Sequence, residues 1–139
     1  MISIEEALEG STPLAQKVRA RGPFQDAPSI ILAMRATIPM MTEQEKIATL
    51  NAHPRIGENP SRLSARSLQE QGAEQMPEID RLNAEYERRF GFRFVVFVNR
   101  RPKSEIVEVL RQRLMRSRPE ELQAGLDAIV EIAADRLKS

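Results

Sequence analysis

The stretch Asn51-Ala-His-Pro-Arg-Ile-Gly-Glu58 contains the one histidine of the chain. Imidazole titrates near neutral pH, so His53 is the first candidate for a general acid or base. Pro54 ends the preceding helix, because a residue before proline disfavours the α region. His53 is therefore expected just past a helix, with its ring free to aim into a cleft. A helix-end histidine that bonds a local carbonyl, or is simply solvated, fits the same residues. A second group is Ser67-Leu-Gln-Glu-Gln71. On a helix Ser67, Glu70 and Gln71 share a face, being three and four apart. They offer a hydroxyl, a carboxylate and an amide to a polar substrate, or they form an ordinary solvated face. A third candidate is Arg136. Ile129, Ile132, Ala133 and Arg136 fall at i, i+3, i+4 and i+7, which sets a guanidinium at least partly on an apolar face. There it needs an anionic partner: a carboxylate of this chain or one of a substrate, unless it snorkels out near the helix end.

The rest of the composition removes other chemistries. With no cysteine there is no disulfide, thiol nucleophile or zinc–thiolate site. With one histidine, a transition-metal site would have to be carboxylate-dominated, and no such cluster is apparent. No glycine-rich phosphate loop is present. Any catalysis is thus expected to need no metal and no cofactor and to be built on His53 with carboxylates. The charges nearly balance, 21 basic against 20 acidic, which argues against a nucleic-acid partner. The run Arg111, Arg113, Arg116, Arg118 is surrounded by Glu105, Glu108, Glu120 and Glu121 and reads as a solvated, salt-bridged surface. No apolar run is long enough to span a bilayer, and MISIEEALEG has no signal-peptide core. The expectation is a soluble, cytoplasmic, single-domain protein over residues 1–139, with no membrane partner.

The elements that would position these residues are helical. Hydrophobic residues make up 41% of 139, enough for one core. Ser3 with Glu6, and Thr42 with Glu45, fit capping boxes. Thr12-Pro13 fits an N-cap followed by proline, and Asp26 with Pro28 precedes Ile31, Met34 and Ile38. Ser64 is placed to cap a helix reading ARSLQEQGAEQ. Pro77 opens one with a stripe of Ile79, Leu82, Tyr86 and Phe90, closed by Gly91. Ile106, Val109, Leu110 and Leu114 make a further face. Pro119 opens the last helix, with Leu122, Leu126, Ile129, Ala133 and Leu137 inward. The fold class read from this is all-α, a bundle of about seven to eight helices.

Phe92-Arg-Phe-Val-Val-Phe-Val98 breaks the pattern. It is aromatic and β-branched, the composition of a strand, yet no second strand exists to pair with it. Unpaired buried backbone groups are costly. The segment must turn helical early, or its backbone must bond something else, a polar ligand being one possibility.

Taken in order, AHPRIGE, the Ser-x-x-Glu-Gln helix, LNAEYERRFGFRFVVFV, Lys-Ser-x-Ile, LRQRL as Leu-x-x-Arg-Leu, and a final ADRL resemble one family, from about Pro13 to Leu137. It is the 2-oxo-4-hydroxy-4-carboxy-5-ureidoimidazoline (OHCU) decarboxylase family, which completes the route from urate to (S)-allantoin in purine degradation. The resemblance implies an all-α, cofactor-independent, commonly dimeric lyase. It implies that His53 and Glu70 are catalytic. It also implies that Pro54, Ser67, Gln71, Arg136 and the segment Phe94, Val95, Val96, Phe97, Val98 bind the substrate, the last partly through backbone atoms. The chain departs from the family pattern in GSTPLAQKV, where a longer stretch with an aromatic residue is usual, and looks trimmed at 57–64 and near Met76-Pro77. A decarboxylase of another ureido or imidazoline acid, and a non-catalytic helical interaction domain, are the competing readings.

Overall fold

The computed structural model describes residues 2–58, 63–71 and 76–138. Helix starts follow the capping residues. In α1 (Ile4–Ala7) half of the expected box is made: Ser3 Oγ accepts from the Glu6 N–H, while the Glu6 carboxylate meets the Ser3 hydroxyl. Thr12 caps α2 (Pro13–Arg19) and Asp26 caps α3 (Ala27–Thr37), which runs into a 3-10 turn at Ile38–Met40. Thr42 and Glu45 form the full box of α4 (Glu43–Asn51), a cap of about 1 kcal/mol. α4 stops where Pro54 requires, with Ala52 as its C-cap. Ser64 Oγ accepts from the Ser67 N–H at the start of α5 (Ala65–Gln71); the remainder of the expected helix to Gln75 lies outside the described residues. α6 (Pro77–Phe90) buries Ile79, Leu82, Tyr86 and Phe90 and closes on Gly91. α7 (Lys103–Arg113) and α8 (Arg118–Lys138) complete the chain.

The long α8 packs on α1, α3 and α4, and α6 packs on α7. Gly125 lets α8 approach α4: a Cβ there would sit 2.8 Å from Leu50 Cδ2. Because α8 is covered from several sides, its buried residues reach round to Val130, Ile132 and Arg136. Leu122 is only half-buried, as are Val109 of α7 and Leu114 at its C-cap; Val107 faces inward instead. No described helix is long and apolar enough to cross a membrane.

Among the described residues there is no strand. The 92–98 segment runs between α6 and α7, and arginine side chains take the place of a neighbouring strand. Arg113 Nη1 donates to the Val95 carbonyl at 2.8 Å, and Arg118 Nε donates to that of Phe90, at the end of α6, also at 2.8 Å. Arg101 donates to the carbonyls of Phe97 and Val98. The Arg93 N–H donates to Asn51 Oδ1 at 3.0 Å. Its aromatic residues complete the core: Phe94 meets Tyr86 edge-on with centroids 5.3 Å apart, and Phe92 stacks on Phe90 at 6.1 Å.

The basic run is not all surface. Arg111, Arg116 and Arg118 do pair with Glu108, Glu120 and Glu43 near solvent. Arg113 is 8% exposed and Glu121 is fully buried. Arg113 Nε donates to Glu121 Oε1 at 2.7 Å, and the Tyr86 hydroxyl donates to the same oxygen at 2.7 Å. The spacing Ile106, Leu110, Arg113 explains the correction, since it continues the apolar face of α7. The arginine of the LRQRL motif therefore bridges the α8 carboxylate to the Val95 carbonyl.

Candidate active site

A cavity of about 510 Å³ opens between the end of α4, α5, the 94–100 segment and the last turns of α8. That is the size of a small-molecule site. His53, Pro54, Ser67, Glu70, Gln71, Phe94, Val95, Val96, Phe97, Val98 and Arg136 all line it. The helix-face argument for Ser67, Glu70 and Gln71 holds, since all three meet the same cavity.

His53 is 3% exposed, and its Nε2 is buried without a hydrogen-bond partner. Burial, and then the positive charge of Arg136, push its pKa down to about 4, against the opposing pull of Glu9. The ring is therefore neutral at pH 7. Its backbone is fixed from several directions. Arg93 Nη1 donates to the carbonyls of Asn51 and His53, at 2.8 and 3.1 Å. Arg55 forks onto both oxygens of Glu87 on α6, at 2.6 and 2.9 Å. Asn83 Nδ2 donates to the Ile56 carbonyl at 2.8 Å. Gly57, at φ 82°, donates its N–H to Gln71 Oε1 at 3.1 Å. Gln71 thus ties α5 to the histidine loop as well as lining the cavity.

Arg136 is 2% exposed, and its partners belong to the chain. Nε and Nη2 reach the two oxygens of Glu70, each at 2.9 Å. Nη2 also meets Glu9 Oε1 at 2.8 Å and Ser67 Oγ at 3.2 Å. Nη1 donates to the carbonyls of Glu6 and Ala7. The intramolecular carboxylate expected for a guanidinium on an apolar face is present. Ser67 is buried and donates its hydroxyl to Glu9 at 2.7 Å.

Glu9 and Arg93 were not legible as site residues. Glu9 sits in the turn between α1 and α2, where no periodicity marks it. The arginine in Phe-Arg-Phe likewise carries no positional signal.

The 94–98 segment offers a further feature. Its carbonyls at 95, 97 and 98 are taken by arginines, whereas none of the hydrogen bonds among the described residues uses the N–H of Phe94, Val95, Val96, Phe97 or Val98. The cations Arg66, Arg100 and Lys138 line the cavity against one further acid, Asp135. This arrangement can take a small anion, donate to its carbonyl oxygens from backbone, and exchange one proton with it. Among the described residues no group of three or more His, Asp or Glu side chains is arranged to hold a metal ion.

A family model described as OHCU decarboxylase matches residues 2–138. A 2-oxo-4-hydroxy-4-carboxy-5-ureidoimidazoline decarboxylase of Haloferax volcanii is 29% identical over 95% of this chain and 83% of its own length. Its counterpart in Halalkalicoccus jeotgali is 28% identical over 98% of this chain and 81% of its own. The structure is also similar to the crystal structure of an OHCU decarboxylase in the presence of (S)-allantoin. The TM-score is 0.74 at 23% identity, over 96% of this chain and 92% of that one, a likeness of fold.

Proposed function

We infer the chemistry of the cavity from one fact: the chain belongs to the OHCU decarboxylase family. It is a carboxy-lyase of urate degradation that converts 2-oxo-4-hydroxy-4-carboxy-5-ureidoimidazoline to allantoin; its named relatives are decarboxylases of the same compound. The observation that carries the site assignment is the orphaned Nε2 of the buried His53 at the cavity wall. A buried polar atom without a partner is costly, and a substrate hydroxyl would supply the partner.

The substrate carries a hydroxyl and a carboxylate on one ring carbon, beside a carbon doubly bonded to ring nitrogen. When the carbon–carboxylate bond breaks, carbon dioxide leaves and the electron pair passes toward that C=N unit. The substrate is its own electron sink. Neutral His53 takes the hydroxyl proton as the carbonyl of the product forms. It then returns a proton to one face of the carbon that bears the ureido group, giving (S)-allantoin. The ring nitrogen that receives the electron pair takes one proton from solvent, so the anionic substrate and that proton give neutral allantoin and carbon dioxide. Glu70, held by Arg136, orients the substrate or assists that proton movement. Ser67, Gln71 and the free N–H groups of 94–98 hold the ring and ureido amides, Pro54 forms the wall beside His53, and preorganised donors meet the developing charge. Arg66, Arg100 and Lys138 draw the anion in. We place the enzyme in the cytoplasm as a homodimer, on the resemblance of its motifs.

The test generates the substrate in place from urate with urate oxidase and hydroxyisourate hydrolase and follows circular dichroism. Fast appearance of (S)-allantoin that His53→Asn abolishes supports the assignment. Racemic product no faster than a blank rejects this substrate for the site.

A further inference from the structure

Glu9 is the one carboxylate that reaches the site from the α1–α2 turn, and three observations converge on it. Its backbone is left-handed, at φ 61°, a conformation that is costly for a residue other than glycine. Its Oε1 is shared by Ser64 Oγ at 3.0 Å, Ser67 Oγ at 2.7 Å and Arg136 Nη2 at 2.8 Å. Its charge acts on His53, against the charge of Arg136. Strain kept in one residue, with its side chain on two residues of the site and on the cap of α5, points to a role in the site.

We propose that Glu9 is a positioning residue of the decarboxylation site, fixing the proton of Ser67 and the guanidinium of Arg136. This rests on the functional reading above and deepens it. A carboxylate only accepts, so the Ser67 hydroxyl must donate toward Glu9. Its remaining lone pair is then the face offered to the cavity. Ser67 accepts from a substrate N–H, as a ureido group provides, and cannot donate to a carboxylate. Glu9 also engages Nη2 beside the Glu70 fork, so two carboxylates compensate one guanidinium. Arg136 is thereby kept as the frame of Glu70.

The experiment compares wild type with Glu9→Gln and Glu9→Asp in thermal melts, in kcat and KM, and in the ¹⁵N imidazole spectrum of His53. That spectrum contains one residue because the chain has one histidine. Glu9→Gln is expected to lower kcat about 10- to 100-fold per folded molecule, with partial recovery in Glu9→Asp, and to move the His53 resonances. Glu9→Gln combined with Ser67→Ala is expected to cost less than the product of the two single effects, because the two share the Glu9–Ser67 contact. Unchanged kcat and KM in a folded Glu9→Gln overturn the proposal, as do unchanged His53 resonances. A wild type that does not turn the substrate over overturns the functional reading instead, and the His53 spectrum then decides on Glu9.

Discussion

Arg136 holds both oxygens of Glu70, Nε on Oε2 and Nη2 on Oε1, each at 2.9 Å. The two residues lie on α8 and α5, and this fork fixes the angle of the carboxylate at the cavity. A lysine cannot reproduce a planar fork. Arg136→Lys is therefore expected to keep the charge yet lower kcat by about 10-fold or more. Arg136→Met leaves Glu70 and Glu9 without their shared counterion, a loss of about 3–5 kcal/mol. Urea unfolding and steady-state kinetics separate the two outcomes, and a fully active Arg136→Lys would refute the role given to the fork.

The buried group formed by Tyr86, Glu121 and Arg113 supports the other wall through the Val95 carbonyl. Glu121→Gln leaves Arg113 without its buried counterion and is expected to destabilise the chain by about 3 kcal/mol. Tyr86→Phe removes one hydrogen bond and should cost about 1–2 kcal/mol. If the 94–98 backbone binds substrate, Tyr86→Phe raises KM more than it lowers kcat. A KM equal to wild type in that variant would separate this network from the site.

Much of this was legible because it obeys local rules. Pro54 ended α4, Thr42 and Glu45 began it, and the stripe Ile79, Leu82, Tyr86, Phe90 is buried as its period requires. The face of α5 and the odd placement of Arg136 could be read for the same reason. Arg113 was readable in principle, since Ile106, Leu110 and Arg113 repeat the logic applied to Arg136; the neighbouring charges pulled the reading toward a surface. Phe92–Val98 has strand composition, but composition reports a fit to a half-buried extended backbone. It does not say that Arg101 and Arg113 would bond the carbonyls. Glu9 lay beyond reach because a left-handed turn residue gains its role only when α1, α5 and α8 meet.

The cation content of the cavity gives a separate test. Arg100 and Lys138 are exposed, so they act at long range through solvent. Arg100→Gln is expected to raise KM about two- to fivefold at low salt and leave kcat within twofold. The difference should shrink as ionic strength passes about 0.15 M, where the screening length is near 8 Å. A salt-independent change in KM would assign Arg100 a direct contact instead.

His53 makes stability depend on pH between neutrality and about 4. Its pKa is about 4 when folded against 6.5 for the free side chain. Between those values the unfolded chain binds a proton that the folded chain refuses, so stability rises with pH across this window. The contribution is complete above about pH 6.5 and falls progressively as pH drops toward 4. From pH 7 to pH 5 the loss is about 2 kcal/mol, measured as the shift in free energy of urea unfolding. His53→Asn removes the titrating group, so its stability curve should be flatter over the same interval. Glu9 adds a second loss at lower pH: burial raises its pKa, but its bonds to Ser67, Arg136 and Ser64 outweigh that, leaving it below the usual carboxylate range. For activity the same shift keeps the imidazole neutral well below pH 6. The limb of kcat/KM that reports the free enzyme should accordingly stay level from pH 8 to about 5 and fall only beneath it. A break near 6.5 would show that His53 is solvated in the working enzyme, and the buried, unpartnered ring would lose its place in the mechanism.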